Sequence, residues 1–188
     1  MRKVTFGLAN SLDNFIARKD HAVDWGRWGE EVASAAAEFL KTIDTVVMGR
    51  KTYEVALKSG TGSYPGVKNY VFSRTLRETP NKEVEIISTD AAAFVRKLKR
   101  RKGKGICVVG GGKLANSLFE ADLIDEIGLH LHPILLGSGI PLFLPMRRQI
   151  DLELLECKPC KDGCLLLTYR VKRARPAGAR TSKRREFR

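Results

Sequence analysis

The sequence lacks any apolar run of the about 18 residues that a membrane-spanning helix requires. It also has no internal repeat, which excludes a solenoid or a propeller array. Its first residues enter a strand pattern directly, without the apolar segment of a secretion signal. With 188 residues, 43% of them hydrophobic, the chain is long enough for one substantial core and short for two. We therefore expect one globular, cytoplasmic domain.

Cysteine is scarce, and three of the four cysteines form the pattern C-x2-C-x3-C. By spacing alone these residues, Cys157, Cys160 and Cys164, are similar to a metal-ligand cluster. The surrounding residues 152–171 predict a strand hairpin, which places the cysteines at strand ends. A fourth ligand is not evident nearby and a cytoplasmic protein disfavours a disulfide, so we expect no metal site. The chain also lacks the H-x-E and P-C-x-x-C signature of zinc deaminases.

Charge is distributed unevenly along the chain. The formal net charge is +13, but residues 172–188 hold eight Lys or Arg residues against Glu186, which gives them +7. We interpret residues 1–172 as the folded domain and residues 173–188 as a disordered basic tail, because that tail is almost devoid of apolar residues. A second basic run, residues 96–104, is interpreted as a solvated helix end. No finger or aromatic interleaving accompanies these runs, so we expect only non-specific nucleic-acid contact by the tail.

Strand and helix patterns alternate along the domain. Apolar runs predict strands at 4–9, 42–48, 69–73, 84–87, 105–109 and 124–132, and helical spacing predicts helices at 30–40, 51–57, 89–99 and 113–120. Ser88 or Thr89 is the predicted cap of the third helix. The alternation predicts an α/β fold, a three-layer α/β/α sandwich with a mostly parallel central sheet and a C-terminal antiparallel hairpin at one edge.

Two of the predicted strands run through glycine into a helix start. They are residues 46–53 (VVMGRKTY) and residues 108–115 (VVGGGKLA). A helix N-terminus offers unpaired backbone N–H groups and a partial positive charge, and a preceding glycine lets an anion approach the backbone. In an open parallel sheet both segments would fall at the carboxyl ends of the strands. Two such helix ends predict two phosphate sites, and therefore a dinucleotide.

The residues near the first segment suit a phosphate dianion. Arg50, Lys51 and Thr52 gather at the helix start, and Ser73 and Arg74 follow the next strand. Arginine binds phosphate in a bidentate manner, and in a nicotinamide dinucleotide the dianion is the 2′-phosphate of NADPH. The second segment satisfies G-x-G-x-x-A but lacks the acidic residue about 20 positions on that holds a ribose in a Rossmann domain. Taken alone, its triple glycine is equally consistent with a tight turn.

The ordered segments MGRKTYE, FSRT, VVGGGKLANSLFEADLIDEI and PILLGSGIPLF are similar to those of the dihydrofolate reductase superfamily. The stretch ANSLDNFIA at residues 9–17, together with LLGSGIPLF, resembles more narrowly the C-terminal reductase domain of the bifunctional riboflavin-biosynthesis deaminase-reductase. The resemblance covers residues 2–172. It implies a dihydrofolate-reductase-like fold and a stand-alone reductase that transfers hydride from NADPH to a C=N or related bond of a flat heterocycle.

The resemblance also implies which residues bind the cofactor. Ala9 and Ile16 would flank the nicotinamide. The remaining NADPH contacts would come from Gly49, Arg50, Lys51, Thr52, Ser73, Arg74, Val109, Gly110, Gly111, Gly112, Lys113, Leu114 and Ala115.

The proton donor is less well defined. Dihydrofolate reductases resemble this chain in having a carboxylic acid shortly after a loop tryptophan, which corresponds to Glu30 or Glu31 counted from Trp25. Acidic residues in a first helical turn are also ordinary partners of the helix dipole, and Asp13 is a competing candidate. The resemblance places His130 beside the substrate, although a buried histidine with satisfied hydrogen bonds is the other interpretation. Trp25 is either a lid on the substrate or loop packing.

One departure bears on the substrate, because the riboflavin reductases usually have a substrate-contacting glutamate where this chain has Gly110. The leading hypothesis is an NADPH-dependent reductase similar to 5-amino-6-(5-phosphoribosylamino)uracil reductase, acting on an aminopyrimidine or a pterin. True dihydrofolate reductase is the enzymatic alternative, and a non-catalytic nucleotide- or nucleic-acid-binding module is the alternative of another class. The apolar segment 133–144 and the edge hairpin also predict a homodimer.

Overall fold

The computed structural model describes residues 1–60 and 62–173. Its elements in chain order are β1 (Val4–Ser11), β2 (Phe15–Ala17), α1 (Glu30–Thr42), β3 (Ile43–Gly49), α2 (Arg50–Lys58), β4 (Lys68–Phe72), β5 (Val84–Ile87), α3 (Ala91–Arg100), β6 (Gly105–Val109), α4 (Gly112–Glu120), β7 (Glu126–His132), β8 (Ile140–Pro141), β9 (Leu152–Pro159) and β10 (Leu165–Val171). Of the predicted basic tail, residues 174–188 lie outside the described residues. Within the described ranges, no helix has both the length and the apolarity needed to cross a membrane.

Eight strands form one sheet in the order β5-β4-β3-β6-β1-β7-β10-β9. The first six strands in this order, β5-β4-β3-β6-β1-β7, are parallel to one another. The strand β10 pairs antiparallel with both β7 and β9. The predicted α/β fold, with a mostly parallel sheet and a C-terminal antiparallel hairpin, is confirmed. Val46, Val47 and Met48 of β3 are almost completely buried because helices cover both faces of a parallel sheet, which explains the continuous apolar run.

The core lies in two layers, one on each face of the sheet. On one face, Leu98 of α3 and Leu118 of α4 pack with Phe6 of β1. On the other face, Tyr53 of α2 and the partly buried Phe39 of α1 pack against the sheet. These contacts form the predicted three-layer α/β/α arrangement, in which each helix buries one apolar stripe.

The register of β3 aligns three turns at one edge of the sheet. β3 lies between β4 and β6, and it pairs Gly49 with Phe72 and Met48 with Val109. Because the three strands are parallel and end at the same level, the turns that begin at Gly49, Ser73 and Gly110 leave the sheet side by side. Helices α2 and α4 begin directly at this edge.

Most element bounds agree with the prediction within two residues, but the predicted cap of α3 is wrong. The helix begins at Ala91, and the Asp90 carboxylate, in place of Ser88 or Thr89, accepts the N–H of Ala93 at 2.7 Å. A start two residues later than predicted puts Asp90 at the N-cap position, where its side chain reaches the third helical amide. The strands β2 and β8 were not predicted, because three and two residues are too few to show a period.

The basic run at residues 96–104 is not entirely solvated, contrary to the prediction. Lys99 is only 5% exposed, donates to the carbonyl of Leu123 at 3.2 Å and forms an ion pair with Asp125. The same carboxylate accepts the backbone N–H of Val4 at 2.9 Å. A buried ammonium requires such a partner, and this pair connects α3 to the start of β1.

Candidate functional site

A cleft of about 1600 Å³ opens along the carboxyl edge of the sheet. It begins at the N-termini of α2 and α4 and continues over the sheet face covered by α1. Arg50 and Arg74 line one end, and Trp28, His130 and Leu166 line the other. One end of the cleft is therefore cationic, and the other is mainly apolar and aromatic.

The start of α2 forms the cationic end. None of the described side chains caps this helix, so its first backbone N–H groups have neither an intrahelical partner nor a side-chain cap. Open space lies where a Cβ of Gly49 would be. The Arg50 guanidinium donates to Thr75 Oγ1 at 2.9 Å and lies 3.4 Å from the Glu54 carboxylate. These two contacts hold Arg50 toward the turn that follows β4.

Ser73 shapes that turn. Its buried Oγ accepts the backbone N–H groups of Thr75 at 3.2 Å and Leu76 at 2.8 Å. Both bonds use the hydroxyl oxygen as the acceptor, so the hydroxyl proton remains available to an anion. The turn leaves Arg74 exposed on the cleft wall, beside the residue that contacts Arg50. Two guanidinium groups and one hydroxyl thus approach the same part of the cleft.

The glycines between β6 and α4 allow a close approach to α2. Gly110 has φ +67° and Gly111 has φ +39°, both in the left-handed region that glycine adopts readily. A Cβ on Gly110 would clash with the side chain of Thr52 in the first turn of α2. Among the described residues no side chain caps α4 either. Two helix N-termini without side-chain caps therefore face the same part of the cleft.

His130 lines the apolar end of the cleft, and the fully buried His132 lies beside it on the same strand. The sheet register aligns His130 of β7 with Ala9 of β1 and Leu166 of β10. His132, on the same face of β7, has its ring centroid 4.0 Å from that of His130. Burial lowers the pKa of His130, and burial together with the neighbouring His130 lowers the pKa of His132 to about 4. Both imidazoles are therefore neutral at neutral pH and carry one donor and one acceptor each.

The cleft brings together most of the residues predicted to form the site. Its lining includes Ala9, Ile16, Trp25, Gly49, Arg50, Lys51, Thr52, Ser73, Arg74, Val109, Gly110, Gly111, Gly112, Lys113, Leu114 and His130. Ala115 is instead buried in the core cluster that contains α4. The predicted acids Asp13, Glu30 and Glu31 are not part of the lining.

Asp13 connects two loops. Its carboxylate accepts hydrogen bonds from Ser11 Oγ at 2.5 Å and from the backbone N–H groups of Leu136 at 3.1 Å and Gly137 at 2.7 Å. The bond from Ser11, supported by the two amides, holds the pKa of Asp13 below its ordinary value. An ionised carboxylate with three donors suits loop bracing better than proton donation to a substrate.

The two glutamates lie at the start of α1. Glu30 is exposed, and Glu31 Oε2 accepts the backbone N–H of Lys161 at 2.7 Å. Glu31 thereby connects α1 to the turn between β9 and β10. Both residues also lie in the first helical turn, where a carboxylate is favourable for the helix dipole whether or not it contacts a substrate.

The C-terminal hairpin contributes cleft residues that were not predicted. Glu156 and Lys158 of β9 and Leu166 and Thr168 of β10 line the cleft. They reach it because β10 pairs with β7, which carries His130. The sequence predicts a hairpin at a sheet edge but contains no signal for which edge, so these residues could not be assigned.

The family model of the RibD C-terminal domain matches residues 2–166. The chain belongs to the RibD C-terminal domain family. This is a family of reductases that use a nicotinamide cofactor, and the protein is accordingly an oxidoreductase with the fold of the riboflavin-pathway reductases.

Similar proteins include members without a described function. The uncharacterized protein YwjB of Bacillus subtilis (strain 168) is 36% identical over 155 residues, which is 81% of this chain and 89% of YwjB. The crystal structure of a putative riboflavin biosynthesis protein from Shewanella sp. PV-4 has a TM-score of 0.79 at 28% identity, covering 92% of this chain and 100% of that chain. The Thermotoga maritima diaminohydroxyphosphoribosylaminopyrimidine deaminase/5-amino-6-(5-phosphoribosylamino)uracil reductase has a TM-score of 0.69 at 16% identity, covering 91% of this chain and 57% of that chain. This last likeness concerns the fold alone.

The contact between Gly110 and Thr52 can be tested by stability measurements. Gly110→Ala should lower the free energy of unfolding by about 1–2 kcal/mol through left-handed strain, and further through the clash with Thr52. Adding Thr52→Ala should recover only the part due to the clash. Gly66→Ala is the matched control, since Gly66 has φ +75° and open space around its would-be Cβ. Urea denaturation measures the free energy of unfolding of each variant. Equal losses for Gly110→Ala and Gly66→Ala, with no recovery when Thr52→Ala is added to Gly110→Ala, would contradict the close approach.

Proposed function

We propose that the protein is an NADPH-dependent reductase that transfers hydride to a C=N or related bond of a flat aminopyrimidine- or pterin-type heterocycle. In this respect it would be similar to the 5-amino-6-(5-phosphoribosylamino)uracil reductases. One observation carries the proposal: the cleft joins two helix N-termini without side-chain caps, with two arginines beside them, to an apolar end lined by an indole and an imidazole. A phosphate-rich dinucleotide suits the first end and a flat ring suits the second.

The residues at the cationic end fit the phosphates of NADPH. Arg50, Ser73 and Arg74 would hold the 2′-phosphate, since guanidinium groups and a free hydroxyl proton are donors to a dianion. The glycine turn before α4 would hold the pyrophosphate against backbone N–H groups. A side chain at Gly110 would fill this space and meet Thr52, which supports a role for the glycine in close approach to a ligand. Lys51 and Lys113 add positive charge on the cleft wall.

The apolar end fits the nicotinamide and the substrate ring. Bound NADPH supplies a hydride at nicotinamide C4. Ala9 and Ile16 would flank that ring, and Ala9 is small enough to leave room beside His130, its neighbour across the β1–β7 pair. Trp28 and Leu166 would exclude water from the reacting atoms, and close alignment of the two rings supplies much of the rate enhancement.

His130 is the favoured residue for handling the proton. Both of its ring nitrogens are buried and have no hydrogen-bond partner among the described residues, so they are available to a polar heterocycle edge. Its lowered pKa keeps the imidazole neutral, with one nitrogen able to donate a proton and the other able to accept one. Asp13 and Glu31 are occupied by backbone donors, and Glu30 is exposed outside the cleft.

The geometry also bears on which heterocycle is reduced. A glutamate at position 110 would need a left-handed φ and would clash with Thr52, so substrate contact from that position is not available to this chain. Glu156, Lys158 and Thr168 offer a carboxylate, an amine and a hydroxyl on the cleft wall instead.

The carboxylate expected of a true dihydrofolate reductase, Glu30 or Glu31, is not among the lining residues, which disfavours that alternative. The nucleic-acid alternative depends on the tail, which lies outside the described residues except for Arg173.

We further propose that two copies associate through β9, which is the outer strand of the sheet. All eight residues of β9 are exposed, including Leu152, Leu154 and Leu155. An uncovered strand with exposed leucines favours pairing with another edge, and a two-fold dimer would cover both copies at once. Sedimentation velocity should show a dimer that Leu154→Lys dissociates and Leu12→Lys does not; a monomeric wild-type protein would contradict it.

The four free cysteines suit a reducing compartment, so we propose a cytoplasmic location.

Cofactor preference is the first test of the proposed function. Arg50→Ala and Arg74→Ala should each weaken NADPH binding about tenfold and leave NADH binding almost unchanged, because each removes a charge-assisted bond to the 2′-phosphate. Arg100→Ala, an exposed arginine at the far end of α3, is the matched control and should change neither affinity. Fluorescence titration with both cofactors measures these effects. Equal affinity of the wild-type protein for NADPH and NADH would contradict the phosphate assignment.

Substrate class is the second test. NADPH oxidation should occur with aminopyrimidine substrates such as 5-amino-6-(5-phosphoribosylamino)uracil or its close relatives, and should be slow with dihydrofolate. His130→Gln should lower kcat by about 100-fold with little effect on NADPH binding, because it removes a proton-handling group. Arg100→Ala, at an exposed residue outside the cleft, is the control and should leave kcat unchanged. Methotrexate-sensitive turnover of dihydrofolate at a comparable rate would favour dihydrofolate reductase instead.

A further inference from the structure

Three buried side chains form a compact group, and the proposed reduction uses only one of them, His130. They are His130, His132 and Cys164, called here the His–Cys cluster, and their potential ligand atoms all lie within 4.8 Å of one another. Alternate residues of β7 share one face, which aligns the two histidines. The antiparallel pairing of Leu166 with His130 brings Cys164, just before β10, beside His132, with Sγ 3.6 Å from Nδ1.

Several polar atoms in and around the cluster have no partner. Both ring nitrogens of His130, Nε2 of His132 and Oδ2 of Asp162 are buried without a hydrogen bond among the described residues. His130 is only 7% exposed, and His132 is fully buried. Leaving a buried polar atom unsatisfied costs about 1–3 kcal/mol, and native proteins rarely leave several together. Such a group of atoms indicates a ligand that satisfies them jointly.

The side chains suit a metal ion. Each imidazole offers a ring-nitrogen lone pair, and a thiol offers a thiolate once its proton is lost. A bound cation deprotonates a coordinating thiol, so the ion would displace the proton of Cys164 to solvent.

We propose that the His–Cys cluster binds one Zn²⁺-class ion through His130, His132 and Cys164, with water in the fourth position. Two imidazoles and a thiolate form a donor set typical of zinc. Tetrahedral zinc places such donors about 3.3–3.8 Å apart, so the cluster contracts only slightly to accommodate the ion. Cys164 is far from the two histidines in the sequence, and the pairing of β10 with β7 brings the three ligands together.

Metal binding is coupled to the loop that carries both tryptophans. His132 Nδ1 accepts the backbone N–H of Arg27 at 3.0 Å, so the imidazole that would bind the ion is joined to the backbone of this loop. Trp25 lies against His132 with ring centroids 5.1 Å apart, and Trp28 lies 5.6 Å from His130. These are the only tryptophans in the chain. Ion binding is therefore expected to change the intrinsic fluorescence, which gives a readout independent of turnover.

The experiment uses the full chain, freed of metal with a chelator and titrated with Zn²⁺ and separately with Co²⁺. One ion per chain is expected at submicromolar concentration, with a thiolate-to-cobalt charge-transfer band and quenched tryptophan fluorescence. Cys164→Ala and His130→Gln should weaken binding at least about 100-fold, and Cys164→Ala should remove the charge-transfer band. Cys157→Ala and His21→Gln are matched controls, a cysteine and a histidine outside the cluster, and should bind like the wild type.

Circular dichroism and the thermal midpoint of the metal-free variants show whether each one folds. If one of the two cluster variants does not fold, the other one still tests the proposal. Failure of the wild-type protein to bind an ion below millimolar concentration would overturn the proposal. Undiminished binding in a folded Cys164→Ala or His130→Gln protein would also overturn it. NADPH titration of the same metal-free samples separates the two proposals, because loss of ion binding leaves the phosphate contacts at Arg50 and Arg74 intact.

Discussion

The parallel pairing of β3 with β4 and β6 is the constraint on which the site depends. Parallel strands end at the same edge, so the chain must leave the sheet there three times, at Gly49, Ser73 and Gly110. Two of those exits become helices whose first amides have no side-chain cap. Backbone N–H groups that have no partner within a helix are thereby concentrated beside two arginines, an arrangement that favours an anion.

The antiparallel hairpin forms the other end of the cleft by a different physical route. Pairing of β10 with β7 extends the sheet beside His130, and both imidazoles are buried there. Desolvation keeps the imidazoles neutral, whereas the exposed guanidinium groups of Arg50 and Arg74 line the other end. A single cleft therefore presents charge to one part of a ligand and neutral polar groups to another, which matches a molecule with phosphates at one end and an aromatic ring at the other.

The fold, and the grouping of the glycine turns and their cations along one cleft, were predictable because their signals are local. Apolar runs, glycine turns and the cations at residues 50–51 lie within a few positions of one another, and parallel topology then places them together. The hydrogen bonds of the acidic candidates were not predictable in this way, because their backbone partners are distant in sequence. Asp13 accepts backbone N–H groups of residues 136–137, and Glu31 accepts that of Lys161. The burial of Lys99 likewise depends on Asp125, which is distant in sequence and adjacent only after folding.

A crystal structure of the protein with NADPH tests most directly whether the carboxyl edge of the sheet is a dinucleotide site. The account predicts the 2′-phosphate within hydrogen-bond distance of Arg50, Ser73 and Arg74, and the pyrophosphate against the amides of residues 110–112. The nicotinamide should then lie beside Ala9, on the side of the cleft that holds His130. A cofactor bound with its phosphates away from both helix N-termini, or bound outside this cleft, would contradict it.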